Sequence, residues 1–426
     1  MFVWFRITRL SYWGSTILTV WLFLCLLSAC DILRLPIEQQ PLGHKVIWRI
    51  PYNYSQGSFY IHPVLNHRRG YILSIDSTLQ MREKSTGKII WTTTVERFSD
   101  VQPIPLYRYD NTLLLIQSNF TKSVNFVMAI NLDNGKIIWE QQLPYLKMWS
   151  IAAFDNTFYY HDFTPNQIDL YAGNISQQQS LFNPRALFTS IQLDMPGYLF
   201  GRVFEPITFL HPQTKEKMLF ISANAISRSG DSVRSMCFLY NLGKKTLVYG
   251  KEFFRGRTSF WGFHGINSFN EKVQVGEYYI FLIWGKGWVG MNMLTGKIAW
   301  ETNTRLLPNT ESEYKVRAFS VDTLNYHLWH ASLTNLAQCV DVRTGKEVKR
   351  RGFWFETNDQ LNLTFANNIL YFGGYRRWVA VDSRDGRILY EHEGIDNMQV
   401  FGAISVVEDK VFTRVYYYLY CLQAIP

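Results

Sequence analysis

The 426-residue sequence predicts an all-β protein, an eight-bladed β-propeller built from four-stranded antiparallel blades. Three observations carry that expectation. Strand-forming aromatics are abundant (Phe 30, Tyr 25, Trp 14), and charged residues make up only 18 % of the chain. A turn-plus-strand motif recurs along the chain at intervals that suit one propeller blade. The last copy lacks a strand that the N-terminal part of the chain can supply. Hydrophobic residues at 47 % provide a large core, so general disorder is excluded.

In chain order, residues 1–29 come first and look like an export signal. Arg6 and Arg9 form a basic start, and Ile17–Ala29 is apolar except for Thr19 and Ser28. Thirteen residues of helix reach about 20 Å, short of the roughly 30 Å hydrocarbon core, which favours a cleaved signal over a spanning helix. Leu27-Ser28-Ala29-Cys30 looks like a bacterial lipobox, with Cys30 as the lipidated new N-terminus. The expected organisation is a signal peptide at 1–29, a tether at 30–43 and one propeller domain at 44–426. The location would be the bacterial cell envelope, lipid-anchored and facing the periplasm, with the leaflet left open by Asp31. The net charge of +9 falls to +7 once residues 1–29 are removed, and no nucleic-acid motif accompanies it. The pairs Arg68/Arg69, Arg350/Arg351 and Arg376/Arg377 are expected to be solvated loop charges.

The repeat itself follows. Thr86-Gly87-Lys88-Ile89-Ile90-Trp91, Asn134-Gly135-Lys136-Ile137-Ile138-Trp139 and Thr295-Gly296-Lys297-Ile298-Ala299-Trp300 are close copies. Thr344-Gly345 through Lys349, Asp385-Gly386 through Tyr390, and Lys245–Tyr249 are weaker, and an eroded copy is expected near Asn174–Phe182. Asp, Asn or Thr before Gly supplies a turn with positive φ, and β-branched residues then start a strand. Upstream, Asp110-Asn111, Asp155-Asn156, Asn367-Asn368 and Glu408-Asp409 mark further hairpins, giving four strands per unit. Aromatic positions at Trp48, Trp91, Trp139, about 180, Tyr249, Trp300, Lys349 and Tyr390 mostly lie 41–51 residues apart. The longer interval before Tyr249 requires an insertion, placed near Asn183–Gly201 or Ser227–Ser232. Tyr420–Gln423 ends the chain on the strand before such a turn, while His44-Lys45-Val46-Ile47-Trp48 matches the missing half. That N-terminal strand is expected to complete the last blade and remove the open edges at the seam. Seven blades is the alternative if the eroded copy is only an insertion.

These residues bring a family into view. Ala129, Asn131, Gly135 and Trp139 resemble the tryptophan-docking motif of PQQ-type β-propellers. Ala380, Asp382 and Gly386 fit it with Tyr390 in the Trp place, Cys339, Asp341 and Gly345 fit it with Lys349 there, and Gly290, Gly296 and Trp300 fit with Asn292 in the acidic place. The resemblance implies that a small first residue makes room for a neighbouring blade's indole and that the glycine sets the corner. Within this family the chain is most similar to BamB-type lipoproteins. That likeness implies a non-catalytic scaffold binding envelope proteins such as the β-barrel assembly machinery. The alternative is a periplasmic ligand-binding protein or PQQ-dependent oxidoreductase that uses the central channel.

Motifs for chemistry are scarce. The quinone enzymes of the family carry adjacent cysteines and Ca²⁺ ligands, whereas Cys25, Cys30, Cys237, Cys339 and Cys421 are dispersed, so no cofactor is expected. The three mature thiols are expected to be buried and free. Gly285–Gly290 matches G-x-G-x-x-G but cannot precede a helix, because the Gly296 turn follows, and it is taken as a blade loop. His327 and His330 would face opposite sides of a strand, and His161-Asp162 stands alone. The region Asn183–Gly250 is the expected seat of partner-specific structure.

Overall fold

The computed structural model describes residues 45–51, 64–75, 78–95, 106–119, 124–143, 151–176, 190–204, 206–259, 262–263, 272–283, 287–302, 318–331, 336–352, 362–373, 377–393, 405–415 and 418–424. Their strands form eight antiparallel sheets that succeed one another along the chain, the blades of an eight-bladed propeller. Blade one runs from Leu65 to Thr94, blade two from Leu106 to Leu143 and blade three from Ala152 to Gln192. Blades four to seven span Tyr198–Phe263, Lys272–Glu301, Ala318–Gly352 and Asn362–Glu393. Blade eight takes three strands from Ser405–Gln423, and its outer strand is Val46–Pro51 beside Tyr418–Gln423. The ring therefore closes as the chain ends suggested. Residues 1–44, which include the stretch expected to be an export signal, Cys30 and the expected tether, lie outside the described residues.

Apart from blade eight, whose outer strand comes first in the chain, sheet order follows sequence order, so each blade is a meander running outward from its first strand. First strands of successive blades meet. The Phe365 amide donates to Ser320 Oγ (2.8 Å) between blades seven and six, and Thr208 Oγ1 to the Ala153 carbonyl (2.9 Å) between blades four and three. The core lies between neighbouring blades. Leu114, Val127 and Ala129 of blade two pack against Phe158 and Tyr160 of blade three, where Trp139, Phe158 and Tyr160 stack at centroid spacings of 6.1 and 6.0 Å. Alternating residues on each strand bury one side against each neighbour, which explains strands that are apolar on both faces.

Blade four departs from the others. Its first strand is broken into Tyr198–Val203 and Ile207–Leu210, both paired with Lys217–Ser227, and Pro206 in the break has no amide to donate. The strands Lys217–Ser227, Ser232–Asn241 and Thr246–Ser259 hold 11, 10 and 14 residues, against 2–8 in the other blades. Part of the extra length expected before Tyr249 is thus a lengthened hairpin on either side of Ser227–Ser232, one of the two places the sequence suggested. In blade three the fourth strand is Ile191–Gln192, later than the eroded copy near 174–182 suggested; residues 177–189 fall outside the described set. Gly287–Gly290 belongs to the strand Gly287–Asn292, so the glycine motif is strand rather than loop over those residues.

Candidate functional site: blade junctions and the long hairpin

The repeated turn is built by its own residues. In blade two the Asn131 amide donates to the Lys136 carbonyl (2.9 Å) and the Gly135 amide to the Asn131 carbonyl (2.8 Å), while Asn131 Oδ1 accepts the Asp133 amide (2.9 Å). Blade six repeats this with Asp341, Arg343 and Gly345, whose φ is +68°. The Asx side chain satisfies an amide that would otherwise be orphaned, and glycine takes the left-handed corner without strain.

The turn leaves the carbonyl after the Asx position facing the preceding blade, and that carbonyl is the docking acceptor. Trp91 Nε1 donates to the Leu132 carbonyl (2.9 Å), Trp139 to Ile175 (2.8 Å) and Trp300 to Val342 (2.5 Å). Trp48, on the strand that closes blade eight, donates to the Lys84 carbonyl of blade one (3.1 Å). At Tyr249 the hydroxyl reaches the Met293 carbonyl (2.5 Å), and at Lys349 the ammonium reaches the Ser383 carbonyl (3.0 Å). A donor of any kind on the outer strand can thus serve one acceptor geometry. Tyr390 packs on Trp378 (5.3 Å), and burial pushes its phenol up to about 12.

The room each indole occupies is shared between two blades. A Cβ on Gly345 would stand 2.6 Å from Trp300 Cγ, and one on Gly135 would stand 2.6 Å from Trp91 Cε3, so the turn glycine admits the neighbour's ring. The small residue one strand inward has a different role. A Cβ on Gly290 would run into the Trp300 indole of the same blade, directly opposite it in register. Ala129 likewise faces its own Trp139. The expectation that this position accommodates a neighbour's indole is corrected: the ring first crosses its own blade. Met81, opposite Trp91, also shows that the position need not be small.

Cys237, Cys339 and Cys421 are buried and free, with their thiols pushed up to about 12 by burial. Of the histidines singled out, His327 is half-buried and His330 fully buried, as opposite strand faces require. His330 meets Trp288 across the blade junction (6.0 Å), neither of its ring nitrogens has a hydrogen-bond partner among the described residues, and burial holds it down at about 4. His161 is buried beside Phe163. Among the described residues no group of three His, Cys, Asp or Glu side chains could hold a metal, and the sequence has no adjacent cysteines. Arg68 and Arg69 are exposed turn residues, as expected, and reach Asp133 of the next blade, at 2.9 Å to its carboxylate and 2.7 Å to its carbonyl. Arg350 pairs with Glu347 (2.6 Å).

The tip of the long hairpin is the most elaborated polar structure described. Asp231 accepts from Ser227 Oγ (2.7 Å) and Ser229 Oγ (2.8 Å), and these bonds hold its carboxyl below the usual range. Arg234 lies over the Tyr198 ring (4.4 Å) and pairs with Glu252 (3.0 Å), which Arg255 also contacts (2.8 Å). Burial pushes the Glu252 carboxyl up, but the two arginines together bring it below its ordinary value. Arg228, Ser229 and Gly230 at the turn are exposed. The sequence signal for this site was the long interval before Tyr249.

No protein-family model and no curated protein matches the sequence. Solved structures do. BamB from Moraxella catarrhalis is similar with a TM-score of 0.53 at 10 % identity, over 89 % of this chain and 99 % of that one. A europium-containing methanol dehydrogenase is similar with a TM-score of 0.55 at 9 % identity, over 88 % and 86 % of the two chains. Sqt1 from Saccharomyces cerevisiae is similar with a TM-score of 0.56 at 9 % identity, over 90 % and 100 %. At these identities the likeness is one of fold, and the resemblance to PQQ-type propellers holds at that level.

Proposed function

We propose that this chain is a non-catalytic propeller scaffold, tethered through Cys30 to a membrane of the bacterial cell envelope and binding protein partners there. The observation that carries the reading is the blade-four hairpin. Among the described residues it alone has strands of 10 residues or more, and its exposed tip is ordered by internal hydrogen bonds and ion pairs. A pre-organised projection loses little entropy on binding, which suits recognition rather than turnover. BamB shares the fold, and outer-membrane protein assembly is the process we assign by that analogy.

The test is photo-crosslinking in cells from positions 228 and 231, with a position in the blade-eight turn at 408 as control. Envelope proteins attached from the hairpin, including a barrel-assembly subunit, are expected. Attachment from position 408 alone, or none from either, overturns the scaffold reading and directs attention to the central channel. Intact mass of the membrane-extracted protein checks the tether, since lipidation at Cys30 removes residues 1–29.

A further inference from the structure

The outermost strands carry a pattern that blade docking does not use. Lys88, Lys136, Lys297, Lys346 and Arg387 each occupy the residue after the turn glycine, and Lys45 takes the corresponding place beside blade eight. All six are exposed, and none takes part in an ion pair among the described residues. The cations within the turns behave differently: Arg343 pairs with Asp341 (2.6 Å), Arg384 with Asp382 (2.6 Å) and Lys84 with Glu408 (3.0 Å). Six exposed cations without an ion pair among the described residues therefore recur at one equivalent position, where the outer strands leave the turns.

Apolar exposure coincides with it. Val46, Ile89, Ile137 and Ile388 directly follow four of these cations and are 38–52 % exposed. Of ten exposed large hydrophobic side chains among the described residues, six lie on these cation-bearing outer-strand starts, Leu247 and Val248 lie at the matching place in blade four, and Leu210 and Leu324 lie elsewhere. A cation followed by an aliphatic side chain, repeated round a rim, matches an interface whose outer layer is anionic and whose next layer is apolar. An acidic protein surface would match the charge, but not a repeat spread over six of the eight blades.

We propose that this turn-side rim lies against an anionic lipid surface, the lysines among head groups and the aliphatic side chains at the acyl boundary. The inference rests on the membrane-tether reading for its setting, and it adds an orientation: the turn side faces the bilayer. Each cation brought to such a surface is worth roughly fivefold in association.

The test uses the full chain on vesicles of phosphatidylcholine alone or with 30 % phosphatidylglycerol, and reads the labelling of each lysine by a water-soluble amine reagent. Lys88, Lys136, Lys297 and Lys346 should be protected on the anionic vesicles only, and 0.5 M salt should abolish the protection. Replacing these four by Gln should weaken association with anionic vesicles on the order of 100-fold or more. Ile89→Ser with Ile137→Ser, which keeps every charge, should weaken it roughly tenfold. Equal labelling with and without anionic lipid overturns the proposal, as does protection by a lipid-free envelope extract, which would mark a protein interface instead. Failure of the tether is read separately, as an unmodified Cys30 by intact mass, and leaves the labelling result standing.

Discussion

Two adjacent junctions of the ring hold together by different means. Between blades five and six, Trp300 lays its indole over Gly345 and donates to the Val342 carbonyl. Between blades six and seven, Lys349 reaches the equivalent Ser383 carbonyl with an ammonium on a flexible stem. Their middles are reversed in character. The fourth residue of the second strand is His330 at the first junction, against Trp288, and Phe372 at the second, in an apolar cluster with Ala337 and Val379. The junction with the better wedge thus carries the buried imidazole, and the junction with the polar latch has the wholly apolar centre. The shared requirement is a donor for the turn carbonyl, because a buried acceptor left alone costs about 1–3 kcal/mol. The apolar wedge adds stability but is not required.

That contrast can be broken in four ways. Trp300→Ala should destabilise by about 3–5 kcal/mol in denaturant unfolding, since it removes a buried ring as well as the donor. An effect no larger than that of the matching change at Lys349 would end the distinction between wedge and latch. At the same junction His330 is neutral when folded, with a value near 4 against 6.5 when unfolded. The unfolded chain therefore binds the extra proton between those values. Full stability is expected above about pH 6.5, with a loss approaching roughly 3 kcal/mol as the pH falls toward 4. His330→Phe, which copies the neighbouring junction, should flatten that part of the stability–pH curve.

Gly345→Ala should cost roughly 2–3 kcal/mol, through strain at positive φ and displacement of the Trp300 indole. Differential scanning calorimetry of the full chain would measure it, and a neutral result would mean that the ring can shift freely. Lys349→Met keeps the stem and removes the donor, so it should cost only about 1 kcal/mol. A loss as large as that of Trp300→Ala would make the ammonium, not the packed ring, the stronger latch.

Much of this architecture was readable in the residues themselves. Gly87, Gly135, Gly296, Gly345 and Gly386 all adopt positive φ at the turns their neighbours implied, and Trp48 sits where its likeness to Trp91 placed it. The long interval before Tyr249 signalled blade four, but its form as a lengthened hairpin did not show, because strand length depends on pairing partners far along the chain. The hairpin cluster of Tyr198, Arg234 and Glu252 joins residues from three strands, with no spacing to betray it.

By itself, then, the sequence determined the turns, the strand repeat and the closure of the ring, since turn conformation and alternation are properties of a few consecutive residues. Only the tertiary structure decided that Trp300 crosses Gly290 of its own blade before docking, that Lys349 reaches the carbonyl an indole reaches elsewhere, and that His330 is buried with no hydrogen-bond partner among the described residues. Those outcomes depend on which carbonyl, ring or void a distant blade presents, and local chemistry carries no record of that.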